Sequence, residues 1–90
     1  MKKVVISVVG KDTTGIIHKT TGVLYRHNVN VLDITQTTMQ DLFTMMMLTD
    51  IGDSRVPFDE LVADLDALGE AEGLIIHCQH EDIFNSMHTI

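Results

Sequence analysis

Cysteine occurs once in the 90 residues, at Cys78, so the chain cannot close a disulfide within itself, and a reducing cytoplasm is the expected compartment. Positive charge is scarce: 6 Lys and Arg stand against 13 Asp and Glu, for a formal charge of −7. A field of that sign repels phosphate backbones and anionic lipid, which argues against direct nucleic-acid and membrane binding. Long apolar runs are missing too. Val4 to Val9, behind Lys2-Lys3, stops at Gly10-Lys11-Asp12, short of a secretory core and of a membrane span. The single proline, Pro57, fits the first turn of a helix. Two nucleotide motifs are lacking. Ile16 and Ile17 follow Gly15 where a P-loop needs Lys and Ser or Thr, and Asp12 stands where a dinucleotide loop needs its second glycine. Ninety residues make one domain, 1–90, with a core that a partner subunit would reinforce, so a homodimer is expected.

What is present is organised around Gly10-Lys11-Asp12-Thr13-Thr14-Gly15, between an apolar run and a helix-like run. Glycine at both ends allows positive φ and close approach of a ligand to the backbone, while Asp12, Thr13 or Thr14 can cap the helix that follows. Free amides at a helix N-terminus suit a carboxylate or another small anion. The plain alternative is a well-capped strand-to-helix turn.

Val4 to Val9 is β-branched and apolar on both parities, as in a central strand. Ile16, Thr20, Val23, Leu24 and His27 then recur at helical spacing, and Gly22 inside that run suggests a close neighbour. His27-Asn28-Val29-Asn30 ends the helix. A second strand follows, with a parity switch near Asp33 that signals a bulge or burial on both faces. Gln40-Asp41 turns it into a third strand, Leu42 to Leu48, apolar on both faces. After a polar connection, Phe58, Leu61, Val62, Leu65 and Leu68 form a helical stripe, with Asp59, Glu60, Asp64 and Asp66 left for solvent. Gly69 and Gly73 bracket its exit, Leu74 to His80 is a fourth strand, and Ile83, Phe84, Met87 and Ile90 give the tail one apolar face as a short helix. The order βαββαβ predicts an α+β, ferredoxin-like two-layer sandwich with a core about 3–80 and a C-terminal helical extension at 81–90. Right-handed crossovers place strands one and three centrally, with both helices on one face. The other face needs a second chain or the tail to cover it.

Other constellations carry less. His77 and Cys78 point to opposite faces by alternation, leaving Cys78 and His80 as only two same-face ligands, so no metal site is expected. Met45-Met46-Met47 reads as adaptable packing, Cys78 has no activating arrangement, and Asp64, Asp66 and Glu70 lie on a solvated helix side. No catalytic set and no cofactor motif emerge; an active site formed across a dimer is the route by which so small a chain could be an enzyme.

Val8-Val9-Gly10-Lys11-Asp12-Thr13-Thr14-Gly15-Ile16-Ile17, with Leu24, His27, Val29-Asn30-Val31 and Asp33-Ile34, closely resembles an ACT domain over roughly residues 1 to 80. The matching parts are a Gly-x-Asp-x-x-Gly-Ile loop and an Asn-hydrophobe pair opening fifteen positions after the second glycine. The ending Ile83-Phe84, Met87-His88, Ile90 resembles a small stand-alone group related to the glycine cleavage system regulator. The resemblance implies a regulatory module that binds an amino acid or similar ligand at an interface between two domains. Gly10, Asp12 and Asn30 correspond to the polar positions that hold serine in related domains, although those place a polar side chain where Gly10 stands and an Asn where Asp12 stands. The expected ligand site is therefore Gly10, Asp12, Thr13, Thr14, Gly15 and Asn30. The alternative function is a protein-interaction module with a vestigial pocket.

Overall fold

A computed structural model describes residues 2–11 and 15–81. The expected alternation is observed: β1 (Lys3–Lys11), α1 (Ile16–Arg26), β2 (Asn30–Met39), β3 (Leu42–Asp50), α2 (Phe58–Glu72) and β4 (Ile75–His80). The four strands form one antiparallel sheet in the order β2-β3-β1-β4, so the two apolar strands are central. This is the ferredoxin-like arrangement. The proposed tail helix beyond Glu81 lies outside the described residues.

Register follows from which side chains must be hidden. Val4, Ile6 and Val8 of β1, Phe43, Met45 and Met47 of β3 and Ile76 of β4 share the face that packs on the helices. They meet Ile16, Val23 and Leu24 of α1 and Leu61 and Leu65 of α2. Burying each such side chain contributes roughly 1.5–3 kcal/mol, so a one-residue slip, which would exchange Met45 and Met47 for Thr44 and Met46, is strongly disfavoured. Two threonines also sit in this core with their hydroxyls satisfied: Thr20 Oγ1 donates to the Ile16 carbonyl and Thr49 Oγ1 to the Val4 carbonyl, each at 2.8 Å.

The helices end where their chemistry directs. Beyond His27, the C-cap of α1, Asn28 adopts a φ of 60°, the left-handed exit expected of asparagine, and its amide donates to the Asp53 carbonyl at 3.0 Å. α2 runs past Gly69 to Gly73, its left-handed C-cap, and Leu74 N–H closes on the Gly69 carbonyl at 2.8 Å. Gly69 is thus inside the helix because β4 passes against it: a Cβ there would sit 2.7 Å from the Leu74 carbonyl oxygen. Gly22 is the reverse case. Nothing described lies within 4 Å of where its Cβ would be, so the close neighbour suggested by the sequence is not found. Asp64, expected to face solvent, is drawn to His27, with Oδ2 and Nε2 2.5 Å apart, and ties α2 to the end of α1.

In β2 the parity switch is a bulge, with Leu32 passed over between Val31 and Asp33. From Leu32 to Met39 every residue is exposed, including Ile34 and Met39. Among the described residues β2 is an edge strand with no neighbour on its outer side. Across the helix-free face, Val5, Asp33, Thr35, Met46, Leu48 and Glu81 line a groove of about 420 Å3. No described helix is long and apolar enough to cross a membrane.

Candidate functional site

Of the residues expected to form one site, Gly10 and Asn30 are placed at two ends of the sheet. Gly10 stands near the end of β1, paired with Phe43, and Gly15 opens α1. Asn30 begins β2 opposite Asp50, and Asp50 in turn pairs with Lys3 at the start of β1. Asn30 is therefore level with Lys3, and the strand from Lys3 to Gly10 covers about 23 Å at ~3.3 Å per residue. Within one chain Gly10 and Asn30 do not meet. Two routes were open from sequence, the same-chain neighbour and the copy in a partner, and the separation of Gly10 from Asn30 favours the second.

Gly15 keeps its expected role. With φ 87° and ψ 6° it is the left-handed N-cap of α1, and its carbonyl accepts from Lys19 N–H at 2.9 Å. It also occupies the cap position expected for Asp12, Thr13 or Thr14, and it has no side chain with which to cap. Those three residues lie outside the described part of the chain. Gly10 is explained differently from the expectation. Its φ is not positive, and a Cβ there would be 2.5 Å from Leu74 Cδ2 and 3.3 Å from the Gly73 carbonyl oxygen. The small residue makes room for the entry of β4, a demand of packing before any demand of a ligand.

Asn30 is exposed and lines a polar recess of about 390 Å3 with Tyr25, Asn28, Val29, Asp50 and Asp53. Two carboxylates flank it. Asp50 Oδ1 accepts from Gly52 N–H at 2.8 Å, so one of its oxygens is committed to the turn. Neither aspartate was singled out from sequence, although counting back from the Gln40-Asp41 turn brings Asn30 opposite Asp50 once the one-residue bulge is allowed. Loop residues with no helical or strand period give no other signal.

The remaining candidates resolve as strand alternation requires. His77 pairs with Ser7 on the helix-free face, Cys78 with Ile6 on the core face, and His80 stacks on Phe58 with ring centroids 4.5 Å apart. Among the described residues no three His, Cys, Asp or Glu side chains are grouped to hold a metal. The Cys78 thiol is pushed up to about 12, first by burial and then by the charge of Asp66, the opposite of an activated nucleophile.

Comparison with known proteins places these features in a family. The chain is 48% identical over 90 residues to a UPF0237 protein of Methanocaldococcus jannaschii, covering all of both chains. It is 51% identical over 86 residues to a UPF0237 protein of Clostridium perfringens, covering 96% of this chain and 97% of that one. Among solved structures, an ACT domain protein from Streptococcus pneumoniae superposes with a TM-score of 0.80 at 34% identity, covering 92% of this chain and 93% of that one. A candidate glycine cleavage system transcriptional repressor shares the fold at a TM-score of 0.75 and 21% identity, with 88% of this chain matching 45% of that one. Residues 2–79, which carry the sheet, both helices and the Gly10 to Gly15 loop, match the sequence profile of the ACT domain, and the chain belongs to the ACT domain family.

Proposed function

We propose that this protein is a stand-alone regulatory ACT domain that binds an amino acid across a two-fold dimer formed by its β2 edges. The observation that carries the reading is the direction of β2. Both β1 and β2 are antiparallel to β3, so β2 runs from the Asn30 end toward the Gly10 to Gly15 end. A second β2 paired antiparallel about a two-fold axis runs the other way, which brings the partner's Asn30 to the loop end of the first chain. The exposed, unpaired β2 edge supplies the backbone groups for that pairing.

Such an interface meets an amino acid from two sides. The amides around Gly15 at the start of α1 favour the carboxylate, Asp12 accepts from the ammonium group, Thr13 and Thr14 offer hydroxyls, and the partner's Asn30 adds a side-chain amide. The helix dipole offsets part of the repulsion between Asp12 and the carboxylate. Regulation is the proposed output, and membership of the ACT domain family supports it.

The explanation of Gly10 by packing favours a second reading, a protein-interaction module whose ligand pocket is vestigial. A melting screen against the amino acids separates the two. A ligand at a hundred times its Kd stabilises by ~2.7 kcal/mol. The amino-acid reading expects one or a few amino acids to raise the melting temperature, with Asn30→Ala and Asp12→Ala, each first shown to be folded, weakening that effect. A screen with no shift supports the interaction module. A ligand that binds both variants with unchanged affinity removes the assignment of the site.

A further inference from the structure

We propose that the groove between the start of β1, the connection from β3 to α2 and the end of β4 binds a small organic phosphate, at a site separate from the Gly10 to Gly15 end. The groove holds about 630 Å3, within the range of metabolite pockets. Among the described residues its titratable lining is Lys2, Arg55 and His80, with no carboxylate. That sorting runs against the composition, in which 13 acids face 6 bases.

Local structure produces the sorting. In the neighbouring recess are Asp50, held back by Gly52 N–H, and Asp53, whose carbonyl is held by Asn28. Asp59 and Glu60, in the first turn of α2, are exposed and do not line the groove. Elsewhere Lys19 pairs with Glu72, and the His27 ring nitrogen meets Asp64. Among the described residues, Lys2 and Arg55 have no carboxylate at ion-pair distance.

The frame behind these side chains is tied down by hydrogen bonds. Ile51 N–H donates to the Lys2 carbonyl at 2.8 Å, Arg55 N–H to the His27 carbonyl at 2.9 Å, and Ser54 Oγ to the Val56 carbonyl at 2.8 Å. The backbone that carries both cations is thus fixed to β1 and to the end of α1. Guanidinium is suited to bidentate contact with phosphate, and an ammonium adds a second full charge, a pairing that favours a dianion over a single carboxylate. Next to them, Val56, Phe58 and the stacked His80 ring form an apolar wall for the organic part of the ligand. A polyanion such as nucleic acid would extend beyond the groove into the field of the −7 chain, so the favoured ligand is small.

The test is titration with phenyl phosphate at constant ionic strength, followed by backbone amide NMR shifts of the full chain, with inorganic phosphate and benzoate as companions. The expected result is saturable shifts at Gly52 to Val56, at Phe58 and at His80, weaker binding of inorganic phosphate at the same residues, and weaker binding still of benzoate. Arg55→Gln and Lys2→Gln should each weaken phenyl phosphate by about tenfold, the cost of one charge-assisted contact, while Arg26→Gln, a cation outside the groove, should leave it unchanged. The proposal is overturned if neither phosphate gives saturable shifts there, if both groove variants bind as the wild type does, or if benzoate binds as tightly as phenyl phosphate. A negative amino-acid screen would leave this result untouched, because the two sites share no residue.

Discussion

At the scale of single residues, glycines that look alike in sequence have opposite substitution outcomes. Gly69→Ala gains helix propensity of ~1 kcal/mol, yet its methyl group would lie 2.7 Å from a backbone oxygen that cannot rotate away, and overpacking of that kind costs roughly 1–3 kcal/mol. The expected result is a net loss of stability. Gly22→Ala has the same propensity gain and no described atom within 4 Å of its methyl group, so it should stabilise by about 0.5–1 kcal/mol, roughly 2–8 °C in melting temperature for a domain this size. Thermal melts of the two variants check both signs. Cys78 gives a pH prediction. Its thiol is raised from 9.0 to about 12 in the folded protein, so below pH 9 it is protonated in both states and has no effect on the pH dependence of stability. Between about 9 and 12 the unfolded chain loses this proton first, and stability falls as pH rises. Cys78→Val should flatten that part of the decline, and iodoacetamide should label the native protein at pH 8 far more slowly than the denatured one.

At the scale of elements, β2 and the sheet's helix-free face are where the described residues leave apolar side chains exposed. Ile34, 42% exposed on the edge strand, has no described partner large enough to bury it. Ile34→Lys places a charge on that edge, a device that blocks strand pairing, and should weaken the dimer by tenfold or so while leaving the helix-facing core intact. Sedimentation equilibrium measures the first effect and circular dichroism the second. On the open face, Val5, Met46 and Leu48 line a groove beside Glu81, and the residues that follow include Ile83, Phe84 and Met87. Apolar side chains at that spacing are stabilising when they pack, so deletion of residues 82–90 should lower the melting temperature or loosen the dimer. An unchanged melt and an unchanged oligomer would show that the tail contributes to neither.

At the scale of the whole molecule, charge opposes assembly. Two chains of −7 repel each other, and a dimer held by backbone pairing and apolar contact should tighten as salt screens that repulsion. Sedimentation at low and moderate salt should show the 10.0 kDa chain shifting further toward a dimer at the higher ionic strength, and a sole 10 kDa species at micromolar concentration under both conditions removes the dimer. The order of elements, the central position of β1 and β3 and the stripes that face the core were legible in the chain, because they are set by local periodicity and by which side chains must leave water. The left-handed exit at Asn28 and the positive φ at Gly15 were legible for the same local reason. The reason for Gly10, the pairing of Asp64 with His27 and the empty space at Gly22 were not, since each depends on a segment distant in sequence. Asn30 shows the division most plainly. The chain identifies it as an exposed polar residue opening a strand, a local fact, but a 23 Å separation from Gly10 follows only when three strands are paired in register, about the length of seven residues at ~3.3 Å each. Sequence alone determined the kinds of groups available for a site. Tertiary structure decided that Gly10 and Asn30 of one chain stand apart, because strand pairing fixes them at opposite ends of the same sheet.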